Sequence, residues 1–123
     1  MDLLEIINYC LSKPFAEEDF PFDDETLVFK VFGKMFALID LFSLPLSISL
    51  KADPEEVIRL RENYEFIFPG YHLNKKYWIT VKEVKYIPVS LLKRLIDNSY
   101  LEVVYKLPKY KQKLIMSKLE DAQ

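Results

Sequence analysis

Two apolar runs, Thr26–Phe32 and Met35–Leu41, are separated only by Gly33-Lys34. Both are rich in β-branched and aromatic residues, and a two-residue spacer containing glycine marks a tight β-hairpin, because such turns need positive φ. Neither run alternates apolar with polar residues, so the hairpin is apolar on both faces. The hairpin therefore belongs at the centre of a sheet. The segment Leu46-Ser47-Ile48-Ser49-Leu50-Lys51 alternates strictly, as a strand with one wet face does. Pro45 cannot donate to a ladder and marks its start. Three antiparallel strands in a meander is the economical arrangement.

Helical patterns flank this sheet. Asp2 is a good N-cap with Glu5 three residues on, and Leu3, Ile6, Ile7, Cys10 and Leu11 follow helical spacing up to Pro14. Asp53-Pro54-Glu55-Glu56 is a second helix start, with Val57, Leu60 and Tyr64 as its stripe. Pro88-Val89-Ser90 opens a third, carrying Leu91, Leu92, Leu95, Ile96, Ser99, Val103 and Val104 until Pro108. Tyr77–Val81 reads as a further strand. The segment Phe15–Glu25 reads as an acidic loop pinned by Phe15, Phe20 and Phe22. The order of elements gives an α+β fold, an antiparallel β-sheet flanked by helices. Residues 1–108 form a single domain. Residues 109–123 are a Lys-rich C-terminal extension, either a helix through Tyr110, Leu114, Ile115 and Leu119 or a frayed tail.

Composition bounds the chemistry. The chain has 123 residues, half of them hydrophobic, which is ample for one core. No apolar run approaches the roughly 20 residues of a membrane span, and the acidic start does not resemble a signal peptide. A single cysteine, Cys10, excludes an internal disulfide and fits the cytoplasm. With His72 as the only histidine, no Cys/His zinc site can form from this chain alone. No cofactor is expected, since the two glycines are too few for a phosphate-binding loop. The net charge is −2, but residues 1–25 hold eight acids against one lysine, and residues 74–123 hold eleven basic side chains against five acids. The expectation is a bipolar molecule.

The segment densest in functional residue types is Pro69-Gly70-Tyr71-His72-Leu73-Asn74-Lys75-Lys76-Tyr77-Trp78. Read as a nucleic-acid contact, Lys75 and Lys76 neutralise phosphates, Asn74 and His72 bond base edges, and Tyr71, Tyr77 or Trp78 stack on bases, with Lys82 and Lys85 extending the positive face. The plainer reading makes Trp78 and Tyr71 core, His72 part of a turn and the lysines solvated. Catalysis would need His72 beside a carboxylate of Glu17-Glu18-Asp19 or Asp23-Asp24-Glu25, and no nucleophile stands out.

Several blocks resemble the MmcQ/YjbR-like family of small bacterial proteins. They are Ala16-Glu17-Glu18-Asp19-Phe20-Pro21-Phe22, Leu27–Val31, Gly33–Leu38, Leu50-Lys51-Ala52-Asp53-Pro54, Pro69–Lys75 with Trp78, Leu95–Tyr100 and Lys106–Lys109. They occur in family order over residues 1 to about 109. The resemblance implies an antiparallel sheet with helices, described as a double wing, and a DNA-binding role. Its shared signature falls on Pro69, Gly70, Tyr71, His72, Asn74, Lys75 and Trp78, and on an acidic loop of Glu17, Asp19, Pro21 and Phe22. The chain departs from the pattern at Ile79, in the Gly-free turn Lys82–Lys85, and beyond Lys109. The expected function is a non-enzymatic cytoplasmic module that binds DNA weakly. The alternative is a protein-interaction module using the sheet face or the acidic loop, and a third reading is a small-ligand or catalytic site around His72. The expected partners are DNA or a protein, not a membrane, and the sequence leaves the oligomeric state open.

Overall fold

The computed structural model describes residues 1–121. Ala122 and Gln123, the end of the Lys-rich extension, lie outside the described residues. In chain order the elements are α1 (Leu3–Leu11), β1 (Ala16–Asp19), β2 (Thr26–Val31), β3 (Lys34–Asp40), β4 (Ile48–Lys51), α2 (Pro54–Asn63), β5 (Ile67–Pro69), β6 (Trp78–Val81), a 3-10 turn (Val84–Tyr86), α3 (Val89–Val104) and α4 (Lys109–Asp121). The strands form one antiparallel sheet in the order β1-β2-β3-β4-β6-β5. The expected α+β class and the central β2–β3–β4 meander are therefore present. No helix among the described residues is long and apolar enough to cross a membrane.

The helix starts follow their caps. Asp2 and Glu5 form a complete capping box, and the Asp53 carboxylate accepts from the Glu56 N–H at 3.2 Å with Pro54 in the first turn. Four details of the sequence reading are corrected. The hairpin turn is Phe32-Gly33 rather than Gly33-Lys34. Both turn residues have positive φ, 47° and 77°, and Lys34 already pairs with Val31. Second, β4 begins at Ile48 rather than Leu46. Third, Ala16–Asp19 is not loop but an edge strand paired with β2. Main-chain pairing holds it there, and Phe20 and Phe22 stay exposed instead of pinning it. Only Phe15 of the three meets another ring, Phe32, at 5.0 Å between centroids. Fourth, the short β5 was not foreseen.

One face of the sheet carries the core. Leu27, Phe29, Ile39, Ile48, Leu50 and Val81 are buried there beneath Ile6 and Cys10 of α1, Val57 and Leu60 of α2, and the apolar side of α3. All seven residues foreseen on that side of α3 are buried, with Tyr100 added. Residues 109–121 form a helix, the first of the two readings, but only Ile115 of its foreseen stripe is buried. The Gln112 side chain donates to the carbonyls of Leu107 and Tyr105 at 2.8 and 3.2 Å, satisfying the turn after α3. The opposite face of the sheet is covered by no helix among the described residues. Val28, Leu38 and Trp78 form a small cluster there, edged by Met35, Leu73 and Tyr77.

The two faces meet at a bulge. Phe29 pairs with Ala37 and Lys30 with Met35, which leaves Phe36 as an extra residue of β3. Phe36 and Ala37 therefore both point into the core, and the Phe36 ring packs edge-on against Tyr100 at 5.3 Å. The bulged Phe36 carbonyl accepts from Ser99 Oγ at 2.5 Å, and that hydroxyl oxygen in turn accepts from the Lys51 N–H at 2.8 Å. Ser99 is fully buried, so α3 ties the bulge to the end of β4.

Two predictions follow from this packing. Ser99→Ala strands a buried carbonyl and a part-buried N–H, and should cost about 1–3 kcal/mol in urea unfolding. A midpoint unchanged from the parent would mean the bulge is held by other contacts. Burial pushes the Cys10 thiol up to about 12, so at pH 8 only about one thiol in ten thousand is thiolate. Iodoacetamide should therefore label Cys10 only as fast as the protein opens, and rapid labelling of the folded protein would contradict this burial.

Candidate nucleic-acid interface

The loop from Gly70 to Tyr77 is built on the backbone of Trp78. The Gly70 N–H donates to the Trp78 carbonyl at 3.1 Å, and a Cβ at residue 70 would stand 2.7 Å from Trp78 Cβ. Glycine is needed here for close approach. The Tyr71 N–H donates to Thr80 Oγ1 at 3.0 Å, and that hydroxyl pairs with Ser49 Oγ at 2.9 Å. The Asn74 carbonyl accepts from the N–H groups of Tyr77 and Trp78, and its side-chain oxygen accepts from the Lys76 N–H at 2.9 Å. Asn74 therefore shapes its own turn. Lys75 Nζ donates to the Gly70 carbonyl at 3.1 Å and braces the loop from within. Trp78 is 7% exposed, so its ring offers a base no stacking face. His72 has positive φ, 57°, and its ring lies 4.0 Å from that of Tyr71.

The expected positive face of Lys75, Lys76, Lys82 and Lys85 is not assembled. The four residues of β6 carry the chain about 13 Å, at roughly 3.3 Å per residue. Lys82 therefore sits at the opposite end of the sheet, over the Phe68 ring at 4.3 Å, and Lys85 lies in the 3-10 turn beyond it. A different set meets Lys76. Lys51 ends β4 opposite Trp78 and stands 6.0 Å from its ring. Lys76 and Lys106 flank the Tyr77 ring at 5.5 and 5.2 Å. Lys34, at the hairpin end of β3, is close enough to act on Lys51. Lys51 loses its proton more readily than a free lysine, chiefly through partial burial and then through repulsion from Lys106, with Glu102 opposing and Lys34 adding. None of these four ammonium groups has a salt-bridge partner among the described residues.

The acidic signature lies elsewhere. Glu17 and Asp19 are exposed on β1, and Lys30 Nζ bonds the Asp19 carboxylate at 2.9 Å, holding it below the usual carboxylate range. Pro21 and Phe22 follow in an exposed loop. Asp23 accepts from the N–H groups of Glu25 and Thr26 at 2.9 and 2.7 Å, which likewise favours its charged form. Charge separation is partial: Lys118 stands over Phe15 and Lys111 over Phe32, so α4 runs beside the start of β1. The clear contrast is between the two ends of the sheet. Lys34, Lys51, Lys76 and Lys106 mark one, and Asp23, Glu25 and Asp40 mark the other.

These features sit on a fold with known relatives. A family model described as YjbR matches residues 11–102. The chain belongs to the YjbR family. The uncharacterized protein YjbR of Escherichia coli strain K12 is 34% identical over 94% of this chain and 98% of its own length. The uncharacterized protein YbdF of Escherichia coli O157:H7 is 42% identical over 85% of this chain and 86% of its own. A crystal structure of the Deinococcus radiodurans protein DR2400, with a DUF419 domain, superposes with a TM-score of 0.84 at 44% identity, covering 92% of this chain and 86% of that one. The matched span contains the 70–78 loop, Lys34 and Lys51, while Lys106 lies just past it.

Of the four lysines at this end, the sequence reading named only Lys76 as a contact residue and not Lys34, Lys51 or Lys106. These three lie on separate elements and meet only through sheet register and the end of α3. The close packing under the loop yields a further prediction. Gly70→Ala should lower stability by about 1–3 kcal/mol by forcing the loop off Trp78. An unchanged urea midpoint would show that this contact is not tight.

Proposed function

We propose that the chain is a non-enzymatic cytoplasmic module that binds nucleic acid weakly through the lysine end of its sheet. The observation that carries this reading is the gathering of Lys76 and Lys106 at the Tyr77 ring beside Lys51 at Trp78, with Lys34 near enough to act on Lys51 and none of the four in a salt bridge among the described residues. Like charges held together on a rigid edge repel one another, and a phosphate backbone relieves that repulsion while releasing its own counterions. Lys76 and Lys106 face solvent. Tyr77, half-buried between them, can meet a sugar or a base edge. Its neighbour Trp78 serves as the wall behind them.

Four phosphate contacts supply modest affinity and no base readout, which fits a weak, sequence-tolerant binder. The non-enzymatic part of the reading is supported by the burial of the Cys10 thiol and by the placement of His72. His72 lies tilted against the Tyr71 ring without a hydrogen bond to a carboxylate among the described residues.

The test is fluorescence anisotropy with labelled duplex and single-stranded DNA over a range of salt. Duplex affinity should fall with a log–log slope of about −3 to −4, as roughly four phosphate contacts require. Lys51→Glu with Lys106→Glu should reduce that slope by about two and weaken binding to every sequence alike. Lys82→Glu with Lys85→Glu should leave affinity nearly unchanged. Loss of binding in the second pair but not the first would move the interface to the other end of the sheet.

A further inference from the structure

The uncovered face of the sheet holds a trough of about 740 Å³ that the lysine end does not use. Its floor is Leu38, Ser47, Ser49 and Thr80, and its walls come from the acidic loop, the β3–β4 loop and the Gly70–Leu73 turn. Apolar groups stand uncovered around it: Leu44 is 95% exposed, Tyr71 70% and Phe22 64%, with Phe68 beside them. Such a patch in one concave place marks a binding surface more often than scattered apolar residues do. Asp23, Glu25 and Asp40 line the same trough, against Lys82 as its lysine. Asp40 uses one carboxylate oxygen to accept from the Phe42 N–H at 3.0 Å, and its other oxygen has no hydrogen-bond partner among the described residues. Lys82 is drawn over the Phe68 ring and His72 onto Tyr71, both toward the β5–β6 side.

The trough thus has an anionic end over β2 and β3 and an aromatic end over β5 and β6. From Thr26 on β2 to Phe68 on β5 it crosses four inter-strand spacings, about 19 Å in all. That is the reach of about six extended residues, and longer than a compact metabolite. We infer that this trough is a docking site for an extended peptide segment of a partner protein, with Lys or Arg at one end meeting Asp40 and Glu25 and an aromatic or aliphatic residue at the other meeting Phe68 and Tyr71. The sign of the lining decides the class of partner: three carboxylates repel a nucleic-acid backbone and attract a basic segment. The site is independent of the lysine end and stands whether or not that end binds DNA.

The probe is an acetylated, fluorescein-labelled hexapeptide with two lysines at one end and two phenylalanines at the other, compared with a twin carrying Glu in place of Lys. The full-length protein should bind the cationic peptide at least about tenfold more tightly than its twin. Amide shifts should be centred on Phe68, Tyr71, Thr80 and Asp40. Asp40→Asn with Glu25→Gln, which keeps the Asp40 turn, should weaken the cationic peptide by about tenfold. Tyr71→Ala should weaken both peptides, and Lys51→Glu with Lys106→Glu should change neither. Equal binding of the twins, shifts confined to β1 or α4, or no binding at about 1 mM peptide would overturn the inference. So would concentration-dependent dimerisation abolished by Asp40→Asn, because a second copy of the chain would then be the occupant.

Discussion

The extra residue at Phe36 is the constraint on which the rest of the molecule depends. Side chains of a strand alternate, so a one-residue offset sends every later side chain to the opposite face. With Phe36 turned inward, unbroken alternation would bury Leu38 and Asp40 against α3 and expel Ala37 and Ile39. The bulge reverses that phase. Ala37 and Ile39 join the core, while Leu38 and Asp40 face the trough. A bulge frees a carbonyl that needs a donor, and Ser99 supplies it from the middle of α3. The same hydroxyl oxygen receives the Lys51 N–H, so one buried side chain sets the seat of α3, the phase of β3 and the position of the lysine that ends β4.

From that seat the two surfaces follow. The register places Lys34 and Lys51 at the end of the sheet where Trp78 begins β6, and the turn after α3 brings Lys106 to the same place. Trp78 separates the two surfaces: its ring fills the uncovered face with Val28 and Leu38, and its backbone anchors the Gly70 loop that walls the trough. A single buried residue therefore supports both. This explains why an aromatic that looks suited to stacking on a base is covered instead.

What could be read in the sequence was what local chemistry determines. The caps at Asp2 and Asp53, the spacing along α3 and the paired apolar runs each fix an element without help from elsewhere. The turn residues were misassigned because glycine fits either reading, and the structure places the bulky Phe32 at positive φ, which propensity argues against. The strand β1 was hidden by its acids, which suit an edge strand because they discourage pairing with another chain. The short β5 ends in a proline and carries too little pattern to stand out. The lysine end was only partly legible because its members are distant in sequence. Lys82 and Lys85 seemed to extend the patch by proximity along the chain, and a strand between them and Lys76 removes them from it.

Opposite charge at the two ends also limits what a single partner can do. A nucleic-acid backbone lying on Lys51 and Lys106 and continuing across the uncovered face would have to pass over Asp40 and Glu25, where repulsion opposes it. On the proposed reading the favourable footprint would therefore be confined to one edge, which would keep the affinity modest whatever the length of the strand. A basic peptide meets the reverse condition, drawn to the trough and repelled by the lysines. Two such ligands would sort by charge over roughly 13–20 Å, about two Debye lengths at physiological salt. Binding at one would then alter the other only weakly through charge, and Trp78, whose ring lies on the uncovered face and whose carbonyl anchors the Gly70 loop, is a residue in contact with both surfaces.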